Sequence, residues 1–145
     1  MDHLYPTLDD PSFNVKIAKR KEFFDTASPS RGTIDDLEAI ASSECNKPFE
    51  VSPHQAFVRN YTSPQTPYTG LLLYHGLGTG KTCTAIGVAE ENRNRNGART
   101  IVVASPAVQA SFRNQLVDES KLRIVDGYWR LDGCMGNHFL KEVNP

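Results

Sequence analysis

The segment His75-Gly76-Leu77-Gly78-Thr79-Gly80-Lys81-Thr82 sets three glycines, a lysine and two threonines within eight positions. Glycines permit a tight turn and let backbone N–H groups come close to an anion. A helix beginning near Lys81 adds the positive end of its dipole at the same place. The Lys81 ammonium then has the reach for β- and γ-phosphates, and the Thr82 hydroxyl for a Mg²⁺ ion. That chemistry is the gripping of a nucleoside triphosphate, with ATP and Mg²⁺ as the expected ligands. The contact residues are Gly76, Leu77, Gly78, Thr79, Gly80, Lys81, Thr82 and Cys83, with Lys81 and Thr82 acting on the reacting phosphates. The usual pattern opens with glycine or alanine where this chain has His75, a position at the strand end that does not touch phosphate directly.

The elements around the loop follow from apolar spacing. Leu71-Leu72-Leu73-Tyr74 is a continuous apolar run, as in a strand buried on both faces of a parallel sheet. A helix is expected from Lys81 to about Arg95, with Gly97 as its stop. Thr100 to Ala104 reads as a second buried strand. Ser105 and Pro106 then open a helix with Val108, Phe112 and Leu116 on one face. Strand, loop, helix, strand, helix is the start of an α/β domain with a parallel sheet. Upstream, Ser52 is a candidate N-cap, Pro53 suits the first helical position, and Phe57 and Tyr61 form an apolar pair one turn apart. Another helix is expected over 34–43, capped by Thr33. Residues 1 to about 32 read as an extended or loosely packed arm, with a short basic helix between Phe13 and Phe24. After Leu122, Arg123-Ile124-Val125 reads as a short strand and 126–137 as loop.

Composition narrows the classes. The 145 residues suffice for one domain with a core. A net charge of −1, from 16 basic and 17 acidic residues, excludes the broad electrostatic footprint of a histone-like DNA binder. No run approaches the roughly 20 apolar residues of a membrane span, and the amino terminus lacks a signal-peptide pattern. Cys45, Cys83 and Cys134 are scattered, with no CxxC pair, which reads as reduced thiols in an intracellular setting. Cys134 and His138 lack further metal ligands at suitable spacing.

The flanks of the loop resemble a known family. Phe49 to Gln55, ending 26 residues before Lys81, resembles the adenine-reading glutamine motif of superfamily 2 helicases. The resemblance implies that Gln55 hydrogen-bonds adenine; Ser52-x-x-Gln55 reads equally as a capping box. Ala104 to Ala107 with Phe112 and Gln115 resembles the motif that touches the nucleic-acid backbone. It implies a phosphate contact at Ser105, assisted by Arg113, while a plain N-cap remains the alternative for Ser105. Tyr5 to Pro11, Lys21 to Phe24, Phe57 to Tyr61, Gln65 to Tyr68, Leu72 to Cys83 and Cys134 to Pro145 are similar to helicases of large cytoplasmic DNA viruses. That group includes relatives of the poxvirus early transcription factor small subunit. The resemblance implies a RecA-like P-loop fold, with residues 1–48 an arm and short helices. Residues 49–145 would be the leading part of a first motor domain. It further implies DNA or RNA and viral transcription machinery as partners, without a membrane, and the virion or host cytoplasm as setting.

A P-loop ATPase also needs an acidic residue at the end of an apolar strand. Asp118-Glu119 is the sole Asp-Glu step, and Leu116-Val117 before it continues a helix. The expectation is a chain cut before its acidic motif and arginine finger, holding ATP weakly and hydrolysing it negligibly. The alternatives are an inactive remnant or interaction fragment, and another P-loop enzyme such as a small-substrate kinase or GTPase.

Overall fold

The computed structural model describes residues 4–27, 39, 41–42, 50–93, 99–137, 140 and 143–144. Its elements are α1 (Phe13–Ala18), α2 (Lys21–Phe24), α3 (Pro53–Tyr61), α4 (Lys81–Glu91) and α5 (Pro106–Leu116), then a 3-10 turn (Glu119–Lys121), β1 (Leu122–Val125) and β2 (Tyr128–Leu131).

Residues 4–27 are packed rather than loose. Phe13 to Phe24 forms two short helices, and their apolar side chains dock on α3. Ile17, Phe23, Tyr61 and Tyr68 form a buried cluster, with Tyr5, Phe13 and Phe57 packed against it. Tyr61 stacks on Tyr68 with ring centroids 4.5 Å apart and planes 7° from parallel. Tyr5 and Phe13 meet the Tyr68 ring edge-on. Each such aromatic pair adds about 0.5–1.5 kcal/mol beyond area burial. The polar rim is closed as well: the Tyr68 hydroxyl donates to the Pro6 carbonyl at 2.7 Å, and the Asn60 amide to the Glu22 carbonyl at 2.7 Å. The basic residues of this region are partly engaged. Lys16 pairs with Asp10, while Arg20 pairs with Glu22 and lies 4.0 Å over the Tyr5 ring.

The expected start of α3 is present, with Ser52 as N-cap, Pro53 in the first turn and a capping box closed by Gln55. The helix expected over 34–43 lies outside the described residues, except for Ala39, Ala41 and Ser42, which are helical. The expected helix at Lys81 runs to Glu91, and residues 94–98 lie outside the described set.

The two expected parallel strands are not formed. Leu71–Tyr74 and Thr100–Ala104 carry no sheet pairing, and Leu72, Tyr74, Ile101 and Val103 are exposed. A strand exists only through a neighbour that completes its hydrogen-bond ladder, and among the described residues neither run has one. The one sheet described is antiparallel. β1 pairs with β2 in the register Leu122↔Leu131 to Val125↔Tyr128. Arg123-Ile124-Val125 is therefore a strand as expected, but part of the expected loop 126–137 is its partner. The turn between them is Asp126-Gly127, both residues at positive φ (53° and 81°), the conformation a two-residue hairpin requires. The Asn144 side chain closes the outer edge of β2, accepting from the Trp129 N–H at 2.7 Å and donating to its carbonyl at 2.9 Å.

The reading of scattered reduced thiols is corrected for two of the three cysteines. Cys83 and Cys134 form a disulfide across a sequence separation of 51 residues, with Cα atoms 4.8 Å apart. Spacing along the chain cannot reveal this pair, because the fold alone brings α4 against the turn after β2.

Candidate functional site

The loop from His75 to Gly80 joins an extended segment to the first turn of α4, and two of its glycines need their freedom. Gly78 and Gly80 lie in the left-handed region at φ 80° and 77°, and Gly80 is the N-cap of α4. At Gly80 there is also no room, since an added Cβ would lie 2.4 Å from Gln55 Nε2. Lys81 begins the helix and turns its side chain back over the loop. Its ammonium donates to the carbonyls of Gly76 at 2.7 Å and His75 at 3.2 Å. The Thr79 hydroxyl donates to the same Gly76 carbonyl at 2.9 Å. The loop is thus folded around its own cation, which is held by neutral dipoles rather than by a carboxylate.

Helix α3 presents its N-terminal turn to this loop. Gln55 uses both ends of its amide. Its Oε1 accepts from the Ser52 N–H at 3.1 Å, and its Nε2 donates to the Gly80 carbonyl at 3.3 Å. That carbonyl also accepts from the Thr84 N–H and hydroxyl. His54 Nε2 donates to the Thr79 carbonyl at 3.0 Å, and its ring stands edge-on to His75, centroids 5.3 Å apart. His75 Nδ1 is buried without a hydrogen-bond partner. Behind the loop, Arg59 of α3 faces Glu91 of α4 with Nε and Oε2 3.6 Å apart, and Asn92 donates to the Thr62 carbonyl at 3.2 Å. Helix α3 therefore grips the loop at one end and α4 at the other.

The residues singled out from sequence fall into separate groups. Gln55 and the loop Gly76–Lys81 come together. Thr82 is half-buried in the first turn of α4, and its hydroxyl makes no hydrogen bond among the described residues. Leu77 projects fully into solvent. The Cys83 sulfur is committed to Cys134. Ser105 is the N-cap of α5, without a side-chain capping bond, and Arg113 lies exposed about 12 Å further along that helix. Asp118 is spent locally. Its carboxylate accepts from the N–H and hydroxyl of Ser120 and pairs with Lys121, and the Ser120 hydrogen bond leads in holding its pKa below the usual carboxylate range. Among the described residues no cluster of three His, Cys, Asp or Glu side chains stands ready for a metal ion, and no helix is long and apolar enough to cross a membrane.

His54, Arg59 and Thr84 were not singled out from sequence. His54 carries a weak signal, as the neighbour of Gln55 in a capped first turn. The other two have none, because their positions depend on how α3 meets α4.

The group fits a phosphate-bearing ligand. It offers an ammonium held by carbonyls that a better acceptor can displace, adjacent left-handed glycines, and an α-helix start of 11 residues beneath them. Toward a divalent cation the group offers the Thr82 hydroxyl, and no cluster of three His, Cys, Asp or Glu side chains accompanies it among the described residues.

No family model matches the chain, and no solved structure matches it. Curated viral proteins do. A mimivirus protein named "Putative ATP-dependent RNA helicase R563" is 36% identical over 113 residues, covering 77% of this chain and 18% of the relative. A protein of Heliothis virescens ascovirus 3e named "Putative ATP-dependent RNA helicase" is 42% identical over 87 residues, 57% of this chain and 9% of the relative. An African swine fever virus protein named "Early transcription factor large subunit homolog" is 34% identical over 116 residues, 62% of this chain and 10% of the relative. The last name specifies a large subunit, where the residues alone drew the likeness to the poxvirus small subunit. The chain spans 11% and 18% of the first two relatives it matches. Helicase homologues imply a P-loop NTPase fold. By sequence, this chain is similar to proteins of large DNA viruses whose names carry the words "Putative ATP-dependent RNA helicase".

Proposed function

We propose that the chain is the ATP-binding portion of a nucleic-acid-dependent ATPase of helicase type. One observation carries the reading: the Lys81 ammonium is held over a loop with two left-handed glycines, above a helix start, by carbonyls alone. In the bound state Lys81 exchanges the His75 and Gly76 carbonyls for β- and γ-phosphate oxygens, and the N–H groups of Gly76 to Cys83 close around the tail. Thr82 supplies a Mg²⁺ ligand; the ion, when bound, neutralises phosphate charge. Gln55 reads adenine. Capping takes one Oε1 lone pair and docking takes one Nε2 hydrogen, leaving one acceptor and one donor for the N6 and N7 edge of the base.

Ser105, at the start of α5, and Arg113 meet phosphates of a DNA or RNA strand. Leu71–Tyr74 and Thr100–Ala104 become strands of a RecA-like parallel sheet when further strands of a longer parent protein lie beside them. The names of the relatives support this setting and favour viral transcription; a virion or host cytoplasm is the compartment that goes with this proposal. Residues 49–145 are then the leading part of the motor domain and 1–48 an appended segment. Hydrolysis belongs to the parent protein, because transition-state charge needs an acidic motif and an arginine finger. A second reading, an interaction segment that binds no nucleotide, draws on the fact that Gln55 and Lys81 have internal partners already.

Calorimetric titration of the chain with Mg-ATP separates the two. Saturable binding, weakened about tenfold or more in Lys81→Ala by loss of charged hydrogen bonds, supports the first. No heat, or unchanged affinity in the variant, overturns it.

A further inference from the structure

Cys83 directly follows Thr82 in the first turn of α4, so its disulfide joins the phosphate loop's own helix to a distant part of the chain. Cys134 sits just after β2 in the turn closed by the Gly136 N–H donating to the Gly133 carbonyl at 3.0 Å. The two sulfurs wall one side of a cavity beside the loop. Val51, Gln55, Arg59, Thr84 and Gly87 line the rest, and at ≈ 20 Å³ it has room for a single water. A purine ring is far larger. Among the described elements the hairpin packs extensively only on itself, so the disulfide is its firm link to α4.

We propose that Cys83–Cys134 is a thiol–disulfide exchange site that gates this slot: joined, the pair keeps a base out; separated, it lets Cys134 withdraw and the base enter beside Gln55. The proposal rests on the nucleotide-binding reading above. The step needs a dithiol of the small-molecule or thioredoxin-like class. One of its thiolates attacks Cys134 Sγ, forming a mixed disulfide, and the electron pair of the broken bond leaves on Cys83. The start of α4 stabilises that thiolate, which makes Cys83 the better leaving group. The second reagent thiol then displaces Cys134. The reagent departs as its cyclic disulfide, having lost two electrons, and its two protons end on the cysteines. Both cysteines are half-buried rather than enclosed in the core.

The test uses the full chain, kept oxidised by cyclic oxidised dithiothreitol or reduced by dithiothreitol, and titrated with Mg-ATP and with inorganic tripolyphosphate. The expected result is ATP binding about tenfold tighter after reduction, with tripolyphosphate affinity changed less than about twofold. Cys134→Ser should bind ATP like the reduced protein under both conditions, with circular dichroism checking its fold. Equal ATP affinity in the two states overturns gating. So does tripolyphosphate shifting in step with ATP, which would mean that the loop itself had moved. Alkylation that finds both thiols free under oxidising conditions overturns the exchange site. Failure of tripolyphosphate and ATP alike in both states overturns the phosphate-loop reading itself, and gating with it.

Discussion

The aromatic cluster around Tyr61 and the apolar runs at 71–74 and 100–104 are built from similarly hydrophobic residues and meet opposite surroundings. In the first, Ile17, Phe23, Tyr61 and Tyr68 are each under 10% exposed, with side chains from four segments packed together. In the second, Leu72, Tyr74 and Val103 are each at least 90% exposed. The difference lies in what each can bury against. An amphipathic helix such as α3 satisfies its own backbone and needs only a few side chains laid on one face. An extended segment must borrow its hydrogen bonds from a neighbour before burial can follow. Apolar content marks where a core can form; the available partners decide whether it does.

The largest effect expected from breaking this contrast is at Tyr61. Tyr61→Ala removes the ring that meets Phe23, Phe57 and Tyr68 and should destabilise by about 3–5 kcal/mol, against typical totals of about 5–15 kcal/mol. A loss of unfolding free energy in urea below one quarter of that amount would show that the cluster is not the structural centre. Next is Gly80→Ala, where positive φ and the Gln55 amide both oppose a side chain. A cost of about 1–3 kcal/mol is expected, together with a loss of nucleotide affinity; Gln55→Ala should partly relieve the stability cost by removing the clash. An unaltered melting profile in Gly80→Ala would mean that α3 does not hold the loop.

A smaller effect sits at the edge of the aromatic cluster. Hydrogen bonding from Arg20, with backbone and Tyr5 contacts behind it, holds the Glu22 carboxyl below the usual carboxylate range. A depressed folded-state pKa stabilises at pH above the unfolded value, and that contribution is lost as pH falls through the folded one. Stability measured downwards from neutral pH should therefore decline in the acid carboxylate range, and Glu22→Gln should flatten that decline. An identical acid profile in the variant would exclude Glu22 as a contributor. Smallest of all is Leu72→Ser, expected within about 0.5 kcal/mol because the side chain is 90% exposed. A loss comparable to that of Tyr61→Ala would show the run buried after all and dissolve the contrast.

Much of the local structure was legible from single residues. Ser52 and Pro53 announced α3, Gly80-Lys81 announced α4, and Ser105-Pro106 announced α5, because caps and prolines act on their own few neighbours. Asp126-Gly127 carried an equally local hairpin signal that went unread beside the loop-like residues after it. The packing of Tyr5 and Phe13 on Tyr68, more than fifty positions away, had no local signature. Nor had the junction of Cys83 with Cys134.

What the sequence determined by itself was a glycine-rich turn leading into a helix start with an ammonium beside it, since these are properties of eight consecutive residues. Only the tertiary structure decided that His54 and Gln55 hold that loop from the side, that two cysteines close the space beside it, and that the apolar runs stay open. Those outcomes depend on which distant surfaces meet, and meeting is governed by the whole chain's competition for partners rather than by any residue's own preference.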